Sequence, residues 1–223
     1  MLCASVLYTL ACFAPALNSM AKALDITKAK IIDLTHDIDN NTIYWPTEKK
    51  TFELTEQFKG ITERGFFYAS YRFCSPEHGG THVDAPFHFA QKGQTTAAIP
   101  IQRLSGPAVV IDISAQAAAD PDYTLTVKDV ADWEQAHGTI PSGAIVLLRT
   151  GWSSRWPNRL AYLGDDTPGD ASNLHFPSYG PEAAKVLVES GVAVLGVDTA
   201  SIDNGQSKDF LVHRIAGAAD VVG

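Results

Sequence analysis

The sequence is short of cysteine, of positive charge and of long apolar runs. Three cysteines occur in 223 residues, too few for a disulfide framework. Cys3 and Cys12 fall in the N-terminal segment, which leaves Cys74 as the one thiol in the body of the chain. It reads as a small hydrophobe buried in a strand rather than as a reactive thiol. Lysine and arginine number 17 against 25 acidic residues, for a formal net charge of −8. With no basic cluster, this balance argues against a nucleic-acid partner. No internal repeat and no low-complexity linker breaks the chain.

One long uncharged run is present, Met1–Leu17. It is interrupted by Pro15 and makes a poor membrane span; no other stretch could cross a membrane. The run is followed by Asn18-Ser19-Met20 and by Ala21-Lys22-Ala23, a small-x-small pattern, and so resembles a secretory signal peptide without the usual basic residue near Met1. A start at Met20 or a short N-terminal helix are the alternatives. Residues 1–23 are therefore set apart, with export to the periplasm or secretion expected if they are a signal and a cytoplasmic location otherwise. Residues 24–223 have the length of one domain, and the chain's 45% hydrophobic and 19% charged content suits a real core.

Apolar pattern gives the elements. Lys30–Thr35 reads as a first strand. Thr51–Thr55 and Phe66–Cys74 alternate and are rich in aromatic residues, like strands of a sheet. Pro107–Ile113, Ala144–Arg149 and Val192–Asp198 are nearly continuous apolar runs, as buried strands are. Thr126–His137 predicts a helix capped by Thr126 with Asp129 at the third position. Pro181–Ser190 predicts another, with proline in its first turn and Gly191 just beyond its end. The strand–helix–strand order from Ala144 onward implies an α/β layer, and the whole is expected to be one α/β domain with a mixed sheet.

Chemistry concentrates in one window. His78, His82 and His88 lie within eleven residues, with Asp84 among them, in a chain that has seven histidines in all. Imidazole and carboxylate are the usual ligands of Zn²⁺, Mn²⁺ and Fe²⁺. Gly79, Gly80 and Pro86 argue against a helix here and for a shaped loop. Structural zinc sites are mostly cysteine-rich and closed, whereas this window has no cysteine, so an open site able to activate water is preferred.

The run His78-Gly79-Gly80-Thr81-His82-Val83-Asp84-Ala85-Pro86-Phe87-His88 resembles the His-x-Gly-Thr-His-x-Asp-x-Pro-x-His signature of the cyclase-like metal-dependent hydrolases. That family includes bacterial kynurenine formamidases and isatin hydrolases. Ile32-Asp33-Leu34-Thr35-His36, Arg149-Thr150-Gly151-Trp152 and Gly196–Asp203, with Ser207 and His213 downstream, match in the family's order. The resemblance implies a swivelling β/β/α fold assembled as a homodimer or homotetramer. It implies that His78, His82 and Asp84 bind the metal and that His88 is the acid/base. Formamidase-type members resemble carriers of two Zn²⁺, for which His213 would serve the second; the glutamate that completes that set does not appear before Gly223, so the chain reads as truncated at its C-terminus. Isatin-hydrolase-type members carry a glutamine on a single Mn²⁺, and Gln206 stands at the matching place.

Trp45, Phe66 and Trp152 are the candidate contacts for a flat aryl substrate, with Phe67 and Trp156 also near the expected site. His36 matches the family and also suits a turn. No chemistry is assigned to His137 or His175. The expected activity is hydrolysis of a cyclic or aryl amide C–N bond by metal-activated water, with isatin to isatinate as the named reaction and one Mn²⁺ as the preferred ion. N-formylkynurenine hydrolysis in tryptophan catabolism, with Zn²⁺, is the alternative. A non-catalytic metal-binding module is the reading from a different class.

Overall fold

The computed structural model of the chain describes residues 27–223. The N-terminal segment read above as a signal peptide, with Cys3 and Cys12, lies outside the described residues. The chain divides into a unit ending at Leu34 and a second from Thr35 to Gly223. In the first, residues 27–34 carry no helix or strand, and Ile31, Ile32 and Leu34 are exposed. The strand expected over Lys30–Thr35 is therefore not formed. An apolar run becomes a strand only where a neighbour completes its backbone ladder, and no such pairing is made there among the described residues.

In the second unit, the apolar runs build a parallel three-stranded sheet. Strands β3 (Ala108–Asp112), β5 (Ile145–Arg149) and β7 (Val194–Val197) pair in the order β3-β5-β7, with Val109 opposite Val146 and Val146 opposite Leu195. Parallel neighbours need crossovers. Helix α1 (Ser114–Ala119) and helix α2 (Val127–His137) lie between β3 and β5 in sequence, and α4 (Pro181–Glu189) lies between β5 and β7. A capping box starts α2 as expected: the Asp129 N–H donates to Thr126 Oγ1 at 3.2 Å, and the Thr126 N–H donates to Asp129 Oδ2 at 2.8 Å. Helix α4 begins at Pro181 and buries Ala183, Ala184 and Leu187. Leu187 is fully buried in the core with Val146, Leu148 and Leu195, so Leu187→Ala is a cavity mutation costing about 2–5 kcal/mol. Two short strands, β4 (Thr124–Leu125) and β6 (Ser178–Tyr179), form a second parallel pair.

Helix α3 (Arg159–Leu163) belongs to a second buried cluster of Ile43, Trp152, Tyr162, Leu163, Leu174 and Phe176. Helix α5 (Leu211–Ala218) packs on α4 and buries Val212, His213 and Ala216.

The antiparallel pairing is separate from all this. Strands β1 (Glu53–Ile61) and β2 (Phe67–Cys74) make a two-stranded hairpin with a bulge between Glu56 and Phe58. The expected mixed α/β domain is present, with its parallel and antiparallel strands in different sheets. Cys74, expected to be buried, is exposed at the end of β2, because no layer formed by the described residues covers the hairpin.

Candidate active site

The histidine window follows β2 as an irregular segment, held in place by its backbone. Gly79 bridges to Tyr44, and the Tyr44 ring comes within 2.1 Å of where a Cβ on Gly79 would stand, so no larger residue fits. Gly80 has φ +62°, the left-handed region that glycine adopts without strain. Its carbonyl stands 2.9 Å from His82 Nδ1 and orients that ring. Asp84 is fixed on both sides of its backbone: its N–H donates to the Gly223 carbonyl at 2.9 Å, and its carbonyl accepts from the Gly223 N–H at 3.1 Å. Pro86–His88 then forms a single 3₁₀ turn that places His88.

Three imidazoles converge on one carboxyl. His78 Nδ1 lies 2.7 Å from Asp84 Oδ1, His82 Nε2 3.3 Å from the same oxygen, and His213 Nε2 3.3 Å from Asp84 Oδ2. His88 stacks on His78 with ring centroids 3.9 Å apart. Two overlapping groups have ligand atoms within 4.8 Å of one another: His78, His82 and Asp84, and Asp84, His88 and His213. The donor set is nitrogen and oxygen only, which suits a catalytic divalent ion better than a closed thiolate site. The residues present therefore fit such an ion.

Asp203 closes the family-matching segment Gly196–Asp203 but was assigned no role from the sequence. It sits at the N-terminal end of α5, where its carboxyl accepts from the Val212 and His213 N–H groups at 2.9 Å each, and its Oδ2 lies 2.6 Å from His213 Nδ1. Ten residues separate the pair, a spacing with no periodic signal; only the loop entering α5 brings them together.

The charges answer to this packing. Burial alone would raise the Asp84 carboxyl, but hydrogen bonds with His213 and His82 outweigh it and hold Asp84 well below the usual carboxylate range. Burial works against protonation of His213 and His82; the partners Asp203 and Asp84 for the first, and Asp84 and the Gly80 carbonyl for the second, lift both above the ordinary histidine value. His88 shifts the other way. Burial lowers it, and Asp84 offsets that only in part, with His78, His213 and His82 adding to the fall. A neutral imidazole at pH 7 beside a water-activating centre can accept a proton.

The cluster lines a cavity of about 250 Å³. Tyr44, Trp45, Phe89, Trp156 and Phe210 also line it, together with the polar residues Glu48, Thr199 and Ser201. Phe210 is held at φ +47°, a conformation that costs an aromatic residue energy, and its ring packs near Trp45, Phe89 and His213. Of the three aromatic candidates, Trp45 lines the cavity and the other two do not. Phe66 is exposed just before β2 begins, where the uncovered hairpin carries it out to solvent. Trp152 is buried in the second core cluster and donates its indole N–H to the Tyr162 carbonyl at 2.9 Å, a partner inside the core that turns it from the cavity. Gln206 also stands elsewhere: it is exposed, and its amide lies 3.2 Å from His175 Nδ1. The His36 ring stacks on Trp156, with centroids 4.5 Å apart, and is not among the residues that line the cavity.

A mixed α/β domain with a nitrogen–oxygen donor cluster in a partly aromatic cavity has the make-up of a metal-dependent hydrolase. The chain belongs to the family described as putative cyclases, whose model matches residues 32–204. It is 35% identical over 201 residues to the isatin hydrolase of Roseibium aggregatum, covering 86% of this chain and 75% of that one. It is 26% identical over 184 residues to the kynurenine formamidase of Salinibacter ruber, covering 82% and 76%. Among solved structures, isatin hydrolase A from Ralstonia solanacearum superposes with a TM-score of 0.77 at 30% identity, covering 96% of this chain and 85% of that chain.

Proposed function

We propose that the chain opens the ring amide of a flat aryl lactam, with isatin to isatinate as the reaction, and that residues 24–223 are the domain that does so. The observation that carries this reading is His88 stacked on His78 of the His78–His82–Asp84 group, in a cavity that Trp45, Phe89, Trp156 and Phe210 also line. His78, His82 and Asp84 hold the ion. When bound, a divalent ion polarises the amide carbonyl and brings the pKa of a water towards neutrality. His88, kept neutral by its surroundings, takes the proton from the attacking water and returns it to the leaving amide nitrogen. Trp45, Trp156, Phe89 and Phe210 offer faces against which an aryl ring stacks. Asp203 fixes His213, which presents its other nitrogen to Asp84.

The preferred ion is a single Mn²⁺, the bound molecule a small aromatic amide, and the assembly a homodimer or homotetramer. Among the described residues, no helix is long and apolar enough to cross a membrane. A second reading is N-formylkynurenine hydrolysis with two Zn²⁺, and the second ligand group, Asp84 with His88 and His213, favours it.

Metal analysis of protein purified without added metal, combined with turnover of both substrates, separates the readings. One Mn²⁺ per chain with isatin opening supports the first. Two Zn²⁺ per chain with formate release supports the second. Bound metal with neither turnover leaves a metal-binding module and sinks both.

A further inference from the structure

The ligand cluster lines only part of the cavity, and the remainder carries a charge of its own. Glu48 lines the cavity and is exposed, so its carboxylate stands where the cavity opens to water. A turn after Trp45 puts it there: the Glu48 N–H donates to the Trp45 carbonyl at 3.0 Å. Among the described residues, no lysine or arginine lines the cavity. Lys49 and Lys50 follow directly but are not part of the lining, and the Arg159 guanidinium is engaged by the Tyr44 carbonyl at 3.3 Å. No ion pair among the described residues neutralises Glu48. Asp84 is the other carboxylate of the cavity, and three imidazoles surround it. The mouth therefore holds one acidic side chain that nothing balances.

We propose that Glu48 is a specificity-determining residue: it turns away aryl ligands that carry an acidic ring substituent and favours uncharged or ammonium-bearing ones. The proposal rests on the reading of this cavity as the place where an aryl amide is held. Adding water across a ring amide C–N bond leaves a carboxylate and an aryl amine, so a neutral substrate becomes an anionic product. A site built for a divalent ion draws in any carboxylate that fits it, the product included. A fixed negative charge at the mouth opposes that attraction without touching the reacting atoms. It is the repulsive element on which discrimination between similar ligands depends. Near a protein surface, two unit charges several ångströms apart interact strongly enough to change an affinity about tenfold. Because Glu48 is exposed, salt screens the effect.

Equilibrium binding of three ligands that have no amide tests this apart from turnover: acetophenone, its 4-sulfonate and its 4-ammoniomethyl derivative. Binding to the metal-loaded protein is read by quenching of tryptophan fluorescence, since Trp45 and Trp156 line the cavity. The wild type binds the ammonium form most tightly and the sulfonate least. Glu48→Gln tightens the sulfonate about tenfold and weakens the ammonium form by a similar factor. A distorted cavity would not move the two in opposite directions. Glu48→Asp keeps the wild-type order, and high salt compresses the range. Glu189→Gln, the same loss of charge on α4 and outside the cavity lining, leaves all three affinities unchanged. An order that survives Glu48→Gln, a shift of both charged ligands in the same direction, or an equal response to Glu189→Gln overturns the selector and leaves the aryl-binding cavity standing. Three ligands that fail to quench at all overturn both.

Discussion

Two histidine–aspartate pairs in this molecule look alike at close range. His213 Nδ1 lies 2.6 Å from Asp203 Oδ2, and His175 Nδ1 lies 2.8 Å from Asp122 Oδ2. Their surroundings differ. Asp203 and His213 are buried, the carboxyl is also fixed by two backbone N–H groups of α5, and the far nitrogen of the ring meets Asp84. His175 and Asp122 are each about one-third exposed, and the ring's remaining neighbour is the amide of Gln206. A pair open to water is worth about 0–1 kcal/mol. A buried pair that leads to a third charged group cannot lose a member without leaving that group unmatched. Convergence and burial, more than pairing distance, separate a site from a surface contact.

The sharpest way to break this contrast is at the point of convergence. Asp84→Ala removes the carboxyl that His78, His82 and His213 share, so the purified protein is expected to retain no metal and to hydrolyse neither substrate. His175→Ala under the same purification keeps its full metal content. Elemental analysis of the two variants side by side reads the difference, and equal losses would end the distinction. The next largest effect falls on turnover alone. His88→Ala is expected to keep the metal and lose about 10²–10⁴-fold in kcat, the usual contribution of a positioned acid–base group. Loss of metal along with turnover would make His88 a ligand instead, as its place in the second group with Asp84 and His213 allows.

A smaller effect tests the fixing of His213. Asp203→Asn keeps the volume and one accepting oxygen but offers an amide where a carboxyl now meets the His213 ring. A partner of this kind typically contributes 10–100-fold in metal affinity or activity. Asp122→Asn, the same change in the exposed pair, is expected to alter neither measurably. Matching results for the two substitutions would mean that burial adds nothing to Asp203.

The window from His78 to His88 was legible because its chemistry is contiguous: four donors, two glycines and a proline occur in eleven residues. The cap of α2 and the three parallel strands were legible for a similar reason, since a capping box and an apolar run are local patterns, although β3, at the edge of its sheet, is more exposed than a buried strand. What failed was whatever depended on a neighbour distant in the chain. Lys30–Thr35 has a strand's composition and no strand pairing. Cys74 and Phe66 have core composition and stand in water because the hairpin is uncovered. Trp152 was assigned to the substrate on its type, but the Tyr162 carbonyl turns it into the core. Asp203 was read as part of a matching segment but not as the partner of His213, which lies ten residues on, across a loop and into a helix.

Gln206 provides the smallest and most discriminating test. Its resemblance to the glutamine of single-Mn²⁺ enzymes would make it a ligand, yet the structure sets its amide on the ring of His175, at 3.2 and 3.3 Å from the two nitrogens, outside the cavity lining. From that position Gln206→Ala removes only an exposed contact, so stability should move by no more than about 0.5 kcal/mol. Metal stoichiometry should stay as in the wild type, because the ligand atoms of His78, His82 and Asp84 already lie within 4.8 Å of one another without it. His175→Ala, which takes away the ring that Gln206 rests on, should be equally silent. If Gln206→Ala instead lowered metal content while His175→Ala did not, the glutamine would have to leave its histidine and reach the cluster when the ion binds. The exposed pair would then be a resting place for a ligand, and the line drawn between the two histidine–aspartate pairs would fall between His175 and its own neighbour.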